Sequence, residues 1–86
     1  TVNSTDDVGY YSSLAVWTDG TVHISYYDYD NENLKYARGT TGAFSYGTID
    51  STGQVGEYPS IAVTSAGTVH ISYYDVTNSN LKYAVK

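Results

Sequence analysis

The sequence contains no cysteine and no methionine, a single proline and only four basic residues among its 86 positions. Without cysteine the chain can form neither a disulfide framework nor a thiolate zinc site, so oligomerisation is the remaining route to stability for a domain of this size. The net charge of −5 argues against nucleic acid and anionic membranes as partners, because both require clustered Lys and Arg. No apolar run approaches the roughly 20 residues that span a bilayer.

What the sequence does contain is a repeat. The segments 8–37 and 55–84 match at a constant offset of 47 residues, and 24 of the 39 overlapping positions are identical. A period in this range is typical of repeat proteins, in which one unit buries its apolar faces only by stacking on neighbours. We therefore divide the chain into a first repeat, residues 1–47, and a second repeat, residues 48–86.

Each repeat has the period-two pattern of β-strands and no helical stripe. Polar or glycine-containing turns separate four predicted strands in the first repeat: Ser13–Val16, Thr21–Tyr27, Leu34–Ala37 and Ala43–Asp50. Four short antiparallel strands per repeat indicate one blade of a β-propeller. The predicted fold is therefore all-β, with two four-stranded blades of which the second is incomplete.

The second strand of each repeat sorts two kinds of side chain onto opposite faces of its sheet. One face, which we name the Val-Ile-Tyr face, carries Val22, Ile24 and Tyr26 in the first repeat and Val69, Ile71 and Tyr73 in the second. The opposite face, the His-Ser-Tyr face, carries His23, Ser25 and Tyr27, and then His70, Ser72 and Tyr74.

Polar side chains on a blade that is covered on both faces need hydrogen-bond partners. We therefore expect a buried structural network in each repeat, formed by His23, Ser25 and Asp28 and by His70, Ser72 and Asp75. One histidine per strand supplies no convergent pair of ligands within a repeat, so we predict no metal site.

The second repeat lacks most of its fourth strand. Eight residues after Lys86 would complete a second copy, and they would match Thr40–Gly47. Residues 1–3 match the end of that same strand, and the chain starts at Thr1 without methionine. We expect either that the N terminus of a neighbouring chain partly completes the second blade or that the polypeptide continues.

The shared pattern S-(L/I)-A-V-x3-G-T-V-H-I-S-Y-Y-D-x2-N-x-N-L-K-Y-A resembles the propeller-type repeat of many secreted bacterial and archaeal proteins. The two-blade length is also similar to that of small bacterial fucose-binding lectins, whose chains trimerise into six-bladed propellers. Their Trp-rich sugar pockets are not reproduced, since Trp17 is the only tryptophan. The resemblance implies an extracellular chain that closes a ring with copies of itself, as a homotrimer in preference to a homotetramer or a filament.

No pattern in the sequence points to catalysis. No carboxylate pair recurs in both repeats, and nothing marks a serine as a nucleophile. We predict a non-enzymatic, self-assembling propeller module without a cofactor, acting as a structural or binding scaffold. Two alternatives stay open: a lectin-like propeller that binds carbohydrate, and a segment of an extracellular repeat array or strand-donating fibre. The predicted ligand-binding residues are aromatic side chains without an aromatic counterpart in the other repeat: Trp17, Tyr10, Tyr29 and Tyr46.

Overall fold

The computed structural model describes residues 2–3, 8–40 and 43–86, which form β-strands joined by turns. The strands are β1 Val8–Val16, β2 Val22–Asp28, β3 Asn33–Thr40, β4 Ala43–Asp50, β5 Val55–Val63, β6 Val69–Asp75 and β7 Asn80–Val85. They form a four-stranded antiparallel sheet, β1-β2-β3-β4, and a three-stranded one, β5-β6-β7. The predicted all-β class is confirmed. Within the described ranges, no helix is long and apolar enough to cross a membrane.

Strand β1 begins five residues before the predicted start at Ser13, and β5 begins five residues before Ser60, the equivalent of Ser13 in the second repeat. In this added stretch each strand shifts register twice against its partner, and such bulges move side chains off the simple alternation. Gly9 and Gly56 have φ of 102° and 104°, and Tyr11 and Tyr58 have φ of 52° and 50°. Strand pairing therefore continues through a segment whose side chains lack the period-two alternation of a regular strand.

The last strand of the first sheet, β4, ends at Asp50, three residues beyond the first 47-residue repeat. Asp50 Oδ2 accepts hydrogen bonds from Tyr73 Oη at 2.7 Å and Lys82 Nζ at 2.9 Å, both in the second sheet. Burial opposes ionisation of this carboxyl, but hydrogen bonds from Thr52 and Lys82 hold its pKa well below the usual range. At the equivalent position in the first repeat, Asn3 Nδ2 donates to Tyr26 Oη at 2.9 Å.

The two sheets pack face to face, with the His-Ser-Tyr face of the first sheet against the Val-Ile-Tyr face of the second. The core between them consists of Leu34, Tyr36, Val55, Ile61, Val69, Ile71 and Tyr73. Strand β5 lies against β1, β2 and β3. The backbones approach closely at Gly56, where an added Cβ would lie 2.6 Å from the Leu34 Cα.

Equivalent residues of the two repeats differ in exposure, because each sheet is covered on one face. Leu34 is 0% exposed, whereas its counterpart Leu81 is 82% exposed. On the other face the difference is reversed, since Ile61 is 9% exposed and its counterpart Leu14 is 59% exposed. The described chain therefore leaves the His-Ser-Tyr face of the second sheet open. It also leaves open the part of the Val-Ile-Tyr face of the first sheet that carries Leu14 and Val16, although Tyr26 and Ala37 are buried on that face.

Gly56→Ala is expected to destabilise the chain more than Gly9→Ala, its counterpart in the first repeat. Both positions have positive φ, so each Cβ introduces backbone strain of roughly 1–2 kcal/mol. Only the Cβ at Gly56 meets another backbone, whereas no described atom lies within 4 Å of a Cβ at Gly9. Urea unfolding of dilute protein should give Gly56→Ala a free energy of unfolding about 2 kcal/mol lower than that of Gly9→Ala. Equal losses would show that β5 does not approach β3 this closely.

Candidate binding surfaces

Four exposed tyrosines meet where β1 and β5 begin. Tyr11 and Tyr58, which are equivalent in the two repeats, have ring centroids 4.3 Å apart. Tyr10 lies 6.5 Å from Tyr11 and 5.6 Å from Tyr29. The buried Tyr27 supports them from below, with centroids 6.3 Å from Tyr11 and 6.4 Å from Tyr29. We call Tyr10, Tyr11, Tyr29 and Tyr58 the tyrosine cluster.

The bulges in β1 and β5 build the tyrosine cluster. Tyr11 and Tyr58 lie within the register shifts, where positive φ re-aims a side chain relative to regular alternation. Such a conformation costs a tyrosine on the order of 1–3 kcal/mol, and both repeats adopt it. The hydrogen bond with Tyr58 raises the pKa of the Tyr11 hydroxyl, and the nearby Glu57 carboxylate adds to the effect. The Tyr11 hydroxyl group therefore stays protonated at neutral pH, and the cluster presents aromatic rings with polar hydroxyl tips.

The structure brings together two of the four predicted ligand-binding residues. Tyr10 and Tyr29 belong to the tyrosine cluster, whereas Trp17 and Tyr46 lie elsewhere. Trp17 follows the opposite end of β1, and its Nε1 donates to the Ser65 carbonyl oxygen at 3.3 Å. Tyr46 lies on the outer strand β4, where Lys35 Nζ is 5.7 Å from its ring centroid. These four side chains therefore do not form one binding surface.

Tyr11 and Tyr58 were missed in the sequence because the choice of binding residues rested on differences between the repeats. Both repeats have tyrosine at this position. The signal that identifies them is the glycine two residues earlier, Gly9 or Gly56, since a glycine inside a strand often marks a bulge.

The interface between the sheets contains a buried histidine, His23. Its Nδ1 lies 2.6 Å from Tyr36 Oη, and the two rings stack with centroids 5.9 Å apart. His23 Nε2 and Ser25 Oγ are buried and have no hydrogen-bond partner within the described structure. Burial lowers the pKa of His23, and the positive charge of Arg38 acts in the same direction. The neutral imidazole is therefore the favoured form in the folded chain.

The structure does not join His23, Ser25 and Asp28 into one hydrogen-bond network. Alternation along β2 places Asp28 on the opposite face from the other two residues. The Asp28 carboxylate accepts hydrogen bonds from the Asn31 backbone N at 3.2 Å and from Asn31 Nδ2 at 2.8 Å. Lys35 Nζ is 3.9 Å from the same carboxylate. Asp28 therefore stabilises the β2–β3 turn.

The second repeat has the same contacts on its open face. His70 Nδ1 is hydrogen-bonded to Tyr83 Oη, and these two rings stack with centroids 5.7 Å apart. Asp75 accepts hydrogen bonds from the Asn78 backbone N at 3.1 Å and from Asn78 Nδ2 at 2.9 Å. Ser72 is half-buried. The histidine–tyrosine pair is thus a repeated element, whether or not a second sheet covers it.

Two cavities lie beside the sheets, one next to the core between them and the other on the Val-Ile-Tyr face of the first sheet. One, of about 180 Å³, lies between β4 and Lys86 and includes Tyr46 in its lining. The other, of about 160 Å³, lies on the Val-Ile-Tyr face of the first sheet and is lined in part by Asn3, Ile24 and Tyr26. Among residues 2–3, 8–40 and 43–86, no three histidine or carboxylate side chains converge as metal ligands do.

Mild acidification is expected to destabilise the chain through His23. Burial lowers its pKa in the folded state, so the unfolded chain binds a proton more readily. The stabilising contribution is present above the unfolded pKa, about 6.5, and is lost as the pH falls below it. Urea unfolding between about pH 7.5 and 5.5 should show a smaller loss of stability for His23→Gln than for the parent chain. Ser65→Ala, in the exposed turn between β5 and β6, is a control that removes no histidine and should keep the parent's pH dependence. An unchanged pH dependence in His23→Gln would contradict the assignment.

Comparisons with known proteins identify no relative of this chain. No protein-family model, curated protein or solved structure matches it. A proposal for the function of the chain is therefore argued from the repeat and from the geometry of the two sheets.

Proposed function

We propose that the chain is a non-enzymatic β-propeller module whose two sheets are consecutive blades, and that it assembles with copies of itself through their open faces. The reversed exposure of equivalent residues carries the proposal. Inside the chain, the His-Ser-Tyr face of one sheet packs on the Val-Ile-Tyr face of the next. Each chain also leaves one face of each kind open, so a second copy offers the complementary surface.

The open His-Ser-Tyr face of the second sheet is strongly apolar for a surface. Tyr74, Leu81, Tyr83 and Val85 are all exposed there. Three of them correspond to residues that the second sheet buries in the first repeat, namely Tyr27, Leu34 and Tyr36. A contiguous apolar surface of this kind usually marks an interaction site. Its repeat equivalents favour another Val-Ile-Tyr face as the partner.

The open Val-Ile-Tyr face of the first sheet has matching features. Leu14 and Val16 are exposed, and Ile24 is half-buried beside the 160 Å³ cavity. Their counterparts Ile61, Val63 and Ile71 pack in or against the core between the sheets. A further blade on this face would cover the apolar side chains and the cavity together.

This arrangement joins two different faces of identical chains, so the interface is heterologous. Such an interface closes into a ring when the rotation between chains divides a full turn, and it otherwise grows into a filament. Two blades per chain require an even blade number. We propose a homotrimer with six blades, in an extracellular setting, as the closed form.

Gly9→Ala and Leu81→Lys are each expected to block self-association, because each substitution alters a different one of the two faces that meet in the proposed interface. In the proposed interface Gly9 of one copy faces Leu81 of the next, as Gly56 faces Leu34 inside the chain. An added Cβ therefore meets the neighbour's backbone, and the lysine places an unpaired charge in the apolar contact. By native mass spectrometry we expect three chain masses for the parent and one for each variant.

Mixing the two variants distinguishes this interface from other modes of association. Each variant keeps one intact face, so the mixture should form a dimer containing one copy of each variant and no larger species. Ser65→Ala, in the exposed turn between β5 and β6, is a control that should assemble like the parent. A parent chain that stays monomeric at millimolar concentration, or a mixture that fails to pair, contradicts the proposal.

The tyrosine cluster favours carbohydrate binding as a second candidate function. Tyrosine rings provide flat apolar surfaces with polar tips, which suit the mixed apolar and hydroxylated surface of a sugar. Strained positive φ values hold Tyr11 and Tyr58 in contact, and strain of this kind is enriched at functional sites.

A glycan array with the parent chain and two variants tests this second function. We expect at least one class of glycan to bind the parent and to lose about tenfold in affinity with Tyr58→Ala, a loss typical of one aromatic contact. Tyr46→Ala, outside the tyrosine cluster, should bind like the parent. No signal above background for the parent chain would count against a lectin function.

A further inference from the structure

The outer edge of β7 has no partner strand in the described part of the chain. Strand β7 pairs with β6, whereas its repeat equivalent β3 pairs with both β2 and β4. Lys86 exchanges two backbone hydrogen bonds with Val69, at 2.9 and 3.1 Å. In an antiparallel pair alternate residues bond to the partner, so the backbone groups of Val85, Tyr83 and Leu81 point away from β6. An edge of this kind readily accepts another strand.

The sequence of β7 indicates which strand it would accept. Asn80–Ala84 is identical to Asn33–Ala37 of β3. Both segments pair with the preceding strand in the same register, with Tyr36 opposite Ser25 and Tyr83 opposite Ser72. The outer edge of β7 therefore presents the same backbone and side-chain sequence as the edge of β3 that binds β4.

The first sheet shows how this edge is occupied. Strand β4 pairs antiparallel with β3, with Gly47 opposite Tyr36 and Tyr46 opposite Ala37. Open space also lies next to the end of β7, since the 180 Å³ cavity is lined by Lys86, which directly follows β7, and by residues of β4.

We propose that the outer edge of β7 binds an extended segment with the sequence pattern of β4, antiparallel and in the register of the β3–β4 pair. A glycine would lie opposite Tyr83 and an aromatic residue opposite Ala84. This edge recognition uses backbone groups of β7 and is a different surface from the two open sheet faces.

A capped synthetic peptide with the sequence of β4, Ala43–Asp50, tests the proposal on the Gly9→Ala chain. Gly9 lies on β1, so this variant keeps β7 intact whether or not the sheet faces mediate assembly. Calorimetric titration should show one peptide bound per chain, and hydrogen exchange of the Tyr83 and Val85 amides should slow. A peptide of the same composition in scrambled order should not bind.

Val85→Pro in the Gly9→Ala chain is the matched variant. It removes one outward N–H and leaves the β6–β7 hydrogen bonds in place, because proline is tolerated where a strand edge faces solvent. Affinity for the peptide should fall about tenfold, the effect of one lost hydrogen bond. Three results would overturn the proposal. The first is that the peptide does not bind at millimolar concentration, and the second is that Val85→Pro leaves its binding unchanged. The third is a Gly9→Ala dimer, paired through β7, that the peptide does not dissociate.

Discussion

The packing of one sheet on the next determines most of the features of this chain. Each sheet has apolar side chains on both faces, and burying a leucine or valine contributes roughly 1.5–3 kcal/mol. Leu34 and Tyr36 gain that contribution against the second sheet, and Val69 and Ile71 gain it against the first. Leu81, Tyr83, Leu14 and Val16 have the same chemistry and remain exposed. The free energy still available at these exposed faces is the physical basis of the proposed association.

Strands with regular alternation could be predicted from the sequence, and β4 begins and ends at the predicted residues. The first halves of β1 and β5 could not, because their bulges remove the alternation on which the prediction depends. The sequence also did not predict which face of one sheet packs on which face of the other. Both repeats have nearly the same residues, so only three-dimensional packing shows which copy of a face is covered.

The candidate sites, too, could be predicted only in part from the sequence. Exposure of Tyr10 and Tyr29 followed from their lack of an aromatic counterpart, but their contact with Tyr11 and Tyr58 depends on positive φ values that composition does not reveal. His23 was expected to bond with nearby Ser25 and Asp28. Its partner is Tyr36, because side chains meet across neighbouring strands at distances that separation along the chain does not indicate.

One difference between the repeats affects how an assembly would come apart. Asp50, the last residue of β4, forms an ion pair with Lys82 across the junction between the two sheets, whereas the equivalent position 3 has an uncharged asparagine. Junctions with this ion pair and junctions without it would therefore alternate around a ring. A trimer would open at the three junctions without the ion pair and release intact two-blade units. Each released unit would keep the junction between its own two sheets and the Asp50–Lys82 ion pair.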